Sequence, residues 1–143
     1  MPPVPSRPPT ADLRLSLACQ LSEVAPAARA VHQFLKDRGC HESELSACEL
    51  TVIEACNNAV LYVTPENRHK SITIEVTCDP RSITLRVTDH TAGFEWPAHP
   101  EFPGPLSQGG RGIPLMHSLM DHVQYLRAPE ANILVLQKNR FSS

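Results

Sequence analysis

Nine of the fourteen prolines fall in two short stretches, five within residues 2–9 and four within residues 97–105. A proline fixes φ and removes a backbone N–H, so neither stretch can belong to a helix interior or a central strand. Regular structure is thereby confined to the chain between them and the chain that follows. The first cluster is terminal, polar and stiff, which predicts a disordered Pro-rich arm over residues 1–10 and a folded domain over 11–143. The second cluster lies inside that domain, in a Pro/Gly-rich loop running from about Thr91 to Gly110. A compact domain keeps a loop of that length for function or as a mobile lid.

Periodicity assigns the rest. Leu13, Leu15 and Leu17 alternate with Arg14 and Ser16, the pattern of a strand with one buried face. Ser22 is a candidate helix cap with Pro26 in the first turn, and Ala27, Ala30, Val31, Phe34 and Leu35 keep helical spacing until Gly39. A second and more apolar helix is expected from Ser43 or Ser46, the latter with Glu49 at capping-box distance, to about Tyr62. Residues 71–78 and 82–88 are β-branched and alternating around Asp79-Pro80-Arg81, which predicts an antiparallel hairpin. A short helix follows Gly112, and a last pair of strands covers His122–Arg127 and Asn132–Lys138. Helices grouped on one face of a mixed, mostly antiparallel sheet give an α+β two-layer sandwich.

Composition narrows the function. With 143 residues, 41% of them hydrophobic, the chain suits one domain burying roughly two-thirds of its unfolded surface. A net charge of -2 supplies no basic excess for a nucleic-acid backbone. Apolar runs such as Ile133 to Leu136 fall far short of the ~20 residues that span a bilayer. The opening residues carry no secretory signal pattern, so the expected compartment is the cytoplasm. The five cysteines are odd in number and never closer than eight positions, which fits small apolar core residues rather than a disulfide framework or zinc ribbon. His117 and His122, five apart, do not share a helical face as metal ligands do.

Three short motifs carry chemistry. Within Thr51-Val-Ile-Glu-Ala-Cys-Asn-Asn-Ala-Val60, Glu54 and Asn58 interrupt an apolar helix only about 40° apart around its axis. Two readings fit: an amide oxygen for Mg²⁺ beside a general base, or a solvated face with a mutual side-chain hydrogen bond. Asp89 ends a strand, with Gly93 four residues on; it is either an acceptor for an exocyclic amine or an ordinary Asx turn. Gln108-Gly-Gly-Arg-Gly-Ile113 opens the third helix, where free N–H groups suit a phosphate, although glycine loops without ligands are common. The loop lacks the Gly-Lys-Ser/Thr of a Walker A motif and is not set in a βαβ unit.

Taken in order, with the proline-rich loop between the second and third, these motifs resemble the Bergerat-type, histidine kinase-like ATPase superfamily over residues 10–139. Within it, they resemble the compact serine/threonine kinases that act as anti-sigma factors. The resemblance implies a kinase that binds ATP and Mg²⁺ and phosphorylates a serine of a small anti-sigma-factor antagonist. Once the antagonist is released, such a kinase holds a sigma factor or other regulatory protein, and the family often pairs as a homodimer through its first helix and strand. Residue by residue, Glu54 matches the general base and Asn58 the Mg²⁺ ligand. Asp89 matches the acid that reads the adenine amine, and Gly93 the glycine lining the adenine pocket. Gly110 and Gly112 match the phosphate glycines, with Arg111 the basic residue among them. Asp121, in Met-Asp-x-Val, is expected to serve as a turn or cap.

The sequence departs from the pattern at Thr91, where the family has a glycine, at Tyr62-Val63 after the asparagine motif, and at Gln108, where a basic residue is common. Asn132-Ile133 replaces a Thr-Thr that helps hold adenine. Apart from Gln108, these departures bear on the adenine end rather than the phosphate and metal end. They keep open an alternative, a catalytically degenerate nucleotide- or partner-binding module of the same fold. An unrelated α+β domain with incidental glycines is the remaining reading.

Overall fold

The computed structural model describes residues 11–92 and 112–141. The expected arm at 1–10 and nearly all of the expected lid lie outside the described residues. Five strands and three helices follow in the order β1 (Leu13–Leu17), α1 (Val24–Asp37), α2 (Glu42–Leu61), β2 (Ile72–Cys78), β3 (Ser82–Asp89), α3 (Gly112–Leu119), β4 (His122–Arg127) and β5 (Asn132–Asn139). The strands form one sheet in the order β1-β2-β3-β5-β4, and each of these pairings is antiparallel.

Strand alternation turns one face of the sheet toward the helices. Register then lines up apolar rows across all five strands. One row runs Leu13, Val76, Leu85, Leu136, Val123; the next runs Leu15, Ile74, Val87, Leu134, Tyr125. The three central members of each row are buried. Helix α2 lies over this face and contributes Leu45, Cys48, Val52, Ala55, Cys56, Ala59 and Val60 to the core, with α1 adding Ala28, Val31 and Leu35. Burying each Leu, Ile or Val side chain stabilises the fold by about 1.5–3 kcal/mol. The cysteines behave as their spacing implied: all five are free, and all but the partly exposed Cys78 are buried.

Both long helices start differently from expectation. Ser22 does not cap α1; it sits inside a 3-10 turn, Leu21–Glu23, that leads into the helix. Pro26 still falls in the first turn, where its missing N–H would have no helical partner anyway. Gly39 ends α1 at φ +80, with its N–H on Lys36 O and the Cys40 N–H on Leu35 O, the paired bonds of a Schellman cap. Helix α2 begins before Ser43 and Ser46, because His41 holds the cap position and Glu44 Oε1 accepts the His41 N–H at 2.8 Å. Glu49 is therefore mid-helix, and its carboxylate meets His32 Nδ1 of α1 at 2.8 Å.

Glu44 is fully buried, and its second oxygen accepts the Phe141 N–H at 2.7 Å, which ties the tail beyond β5 to the first turn of α2. A carboxylate is also favoured there by the helix dipole. At the C-terminal end of α3, Lys138 Nζ donates to Leu119 O at 2.8 Å. Asp121 is a turn residue, as expected; its carboxylate accepts the Asn139 N–H at 2.6 Å. No helix among the described residues is long and apolar enough to cross a membrane.

Candidate functional site

One step beyond the apolar rows, at the end of β3, the inward positions become polar. Asp89 and Asn132 are cross-strand partners, buried on the same face as the pair Val87 and Leu134, two residues away along each strand. Burying a carboxylate is costly unless donors meet it. Here three do: Asp89 Oδ1 accepts from the Thr91 N–H, from Thr91 Oγ1 and from Asn132 Nδ2, each at 3.0 Å. Asn132 Nδ2 also donates to Thr91 O at 2.9 Å. The Thr91 N–H bond is the Asx turn that the sequence allowed. Among the described residues nothing donates to Asp89 Oδ2, so one oxygen is used structurally and the other remains available as an acceptor.

The segment leaving β3 is held by further contacts. Val63 bridges Thr91 through the backbone, Asn67 Nδ2 donates to His90 O at 3.1 Å, and Arg127 Nη2 donates to Ala92 O at 3.2 Å. The departures at Val63, Thr91 and Asn132 thus converge on one structure, which positions Asp89. Along the sequence they stand as separate departures. The missing signal is the β3–β5 register, since only that pairing places position 132 opposite position 89.

Asn58 reaches the same place from α2. A cleft of ≈ 10 Å³ is lined by Ala55, Asn58, Val87, Asp89, Thr91, Met116, Tyr125 and Leu134, so α2, α3 and the sheet close around it. That volume is about the size of one water, and a purine enters only as these walls separate. Asn58 is half-buried and makes no side-chain hydrogen bond among the described residues; neither does Glu54, one turn earlier. The mutual Glu54–Asn58 hydrogen bond is therefore not formed, and the cleft lining includes Asn58 without Glu54. Gly112 is the first residue of α3, the helix that brings Met116 to the cleft. Gly93, Gly110 and Arg111 lie outside the described residues.

Electrostatics around the cleft are simple. Burial, with a smaller contribution from the Asp89 charge, pushes the Cys56 thiol up to about 12, so it stays protonated and inert. Burial lowers the His117 pKa from its ordinary value, favouring the neutral ring. A second recess of ≈ 540 Å³ shares Thr91 with the cleft and carries the cations Lys70 and Arg127 with Asn67, Glu130 and Asn132. Among the described residues no group of three His, Cys, Asp or Glu side chains could hold a metal ion. At the cleft, the Asn58 amide oxygen is a hard donor of the kind that a cation sharing its other ligands with water could use.

The histidine kinase-like ATPase domain family matches residues 17–138. The chain belongs to that family. No curated protein matches it. Among solved structures, it is similar to the RsbU and RsbW domains of Rv1364c from Mycobacterium tuberculosis, with a TM-score of 0.71 and 13% identity. The similarity covers 92% of this chain and 32% of that one, so this family member spans about a third of the neighbour's length. It is also similar to the SiaB-SiaC complex from Pseudomonas aeruginosa, with a TM-score of 0.63 and 12% identity over 90% of each chain. At these identities the likeness is one of fold, and it agrees with the α+β sandwich described above.

Proposed function

We propose that the chain is an ATP-dependent serine/threonine protein kinase acting in a partner-switching pathway on a small antagonist protein. The observation that carries this reading is that Asn58 and Asp89, from distant parts of the sequence, line one cleft in a histidine kinase-like ATPase domain. In this reading the adenine amine donates to Asp89 Oδ2, the acceptor that the Thr91 and Asn132 contacts leave open. Asn58 would hold Mg²⁺ through its amide oxygen, and the α3 N-terminus beginning at Gly112 would offer N–H groups to the phosphates. Bound there, the ion would neutralise phosphate charge. Glu54 takes the proton of the attacking serine hydroxyl as its oxygen bonds to the γ-phosphorus and the bond to ADP breaks.

The partner half of the proposal draws on the neighbours. One is a structure with an RsbU domain beside the RsbW domain, and the other is a complex of two proteins. A doubly charged phosphate placed on the antagonist at a packed interface is sufficient to release it. The freed kinase would then hold a sigma factor or another target.

Calorimetry with Mg-ATP tests the nucleotide site. Binding is expected for the natural chain and at least a tenfold loss for Asn58→Ala, whose melting temperature should stay unchanged because the side chain makes no described hydrogen bond. Equal affinity in the two proteins would refute the metal role. Labelled phosphate on a serine of a small cellular protein, absent with Glu54→Ala, tests the transfer. A second reading, a binding module without chemistry, is favoured by the ≈ 10 Å³ cleft. Partner binding that needs no nucleotide, with no phosphoserine formed, would select it.

A further inference from the structure

Two of the free cysteines meet at the far end of the molecule from the cleft. Cys40 follows Gly39 in the turn between α1 and α2, Cys78 ends β2, and their sulfurs lie 3.9 Å apart across 38 positions of sequence. Cys78 pairs with Ile83 at the start of β3, whereas Asp89 ends that strand. Arg140 crosses from the tail to this pair. Its Nη1 donates to Cys78 Sγ at 3.6 Å and to Asp79 O at 2.9 Å, and its Nη2 donates to Arg38 O at 3.3 Å.

A disulfide needs its sulfurs at about 2.05 Å, so the pair must close by roughly 2 Å. Cys40 lies in a turn and Cys78 is the last residue of β2, beside the Asp79 turn, so the shift falls on a connection and on the end of the ladder rather than its middle. Cys78 is partly exposed and Cys40 is buried, which makes Cys78 the sulfur that a small oxidant reaches first. Burial, reinforced by the neighbouring Cys78, pushes the Cys40 thiol up to about 11, so Cys40 must give up its proton in the step that joins the two sulfurs.

We propose that Cys40 and Cys78 are an oxidative modification site, converted by hydrogen peroxide into a disulfide that clamps the α1–α2 turn to the β2–β3 turn. In the first step the Cys78 sulfur bonds to a peroxide oxygen, the O–O bond breaks, and water and a Cys78 sulfenic acid result. In the second the Cys40 sulfur attacks the Cys78 sulfur, the S–O bond breaks, and the hydroxide leaves as water with the Cys40 proton. Two thiols and one hydrogen peroxide give one disulfide and two waters. The nucleotide cleft lies at the opposite end of β3 and is left as it was.

The full chain, reduced and desalted, would be treated with hydrogen peroxide, alkylated and digested for mass spectrometry. The expected product joins the Cys40 and Cys78 peptides and is lighter by two hydrogens. Closing a loop of this length should raise the melting temperature on the order of 10 °C, and dithiothreitol should reverse it. Cys40→Ser and Cys78→Ser should each lose both effects, and Cys40→Ser should accumulate a dimedone-reactive sulfenic acid at Cys78. Five thiols still open to alkylation after unfolding would overturn the proposal. So would Cys40 linked to Cys48, a bond between two copies of the chain, or an oxidised form with an unchanged or lower melting temperature.

Discussion

Replacing Asn132 by aspartate changes almost no volume and reverses the chemistry around Asp89. The amide donates to Asp89 Oδ1 at 3.0 Å and to Thr91 O at 2.9 Å, both inside the protein. In Asn132→Asp, two carboxylates face one another at that separation. At an effective dielectric near 20, two charges 3 Å apart repel by roughly 5 kcal/mol. The folded protein avoids part of this by binding a proton between them. From an unfolded aspartate near 3.9, protonation at pH 7 costs at most about 4 kcal/mol, because each pH unit is worth about 1.36 kcal/mol. The pair's pKa is therefore raised in the folded state. Stability relative to the natural protein is retained at pH values below about 4 and lost as the pH rises through the raised value. Urea unfolding at pH 4.5 and pH 7 measures it: a deficit below about 1 kcal/mol at the lower pH and on the order of 4 kcal/mol at the higher. Asn132→Ala is the control, with a deficit of about 2 kcal/mol at both. A deficit in Asn132→Asp that does not change between the two pH values would refute the assigned contact.

Two other outcomes test the scaffold. Glu44→Ala leaves the His41 and Phe141 N–H groups without their acceptor and opens a cavity under the α2 N-terminus, so it should cost about 3 kcal/mol or more. Glu44→Gln should cost less, and thermal melting ranks the two. The Cys48 and Cys56 thiols are pushed up to about 12 by burial, from an ordinary value of 9.0. Their contribution to stability is complete below pH 9 and fades as the pH climbs toward 12, so a denaturation series across that window should show a falling midpoint. At pH 8 neither should react with iodoacetamide until the chain unfolds.

Much of the fold was legible because the side-chain period is local information. The hairpin around Asp79-Pro80-Arg81, the strand at Leu13–Leu17 and the two strands after α3 all form where alternation placed them. Helix starts were less legible. Serine in front of an apolar run reads as a cap, yet Ser22 lies in a 3-10 turn and Ser43 and Ser46 are inside α2, since His41 and Glu44 provide the alternative. Strand order was not legible at all: alternation says which face is buried, not which strand lies alongside, and β5 rather than β4 sits against β3. That gap hid the part played by Asn132. The approach of Asn58 to the Asp89 end of the sheet agrees with the motif spacing, whereas Glu54 stands outside the cleft lining and Gly93, Gly110 and Arg111 fall outside the described residues.

Helix α2 runs unbroken for 20 residues, about 30 Å, with Glu44 anchored at one end and Asn58 near the other. The stretch from Glu44 to Asn58, about 21 Å, sets the Glu44 anchor apart from the surface that would meet a ligand. The roughly four turns between Glu44 and Asn58 hold the two ends at a fixed separation, so a change at the tail reaches the cleft only by moving the whole helix.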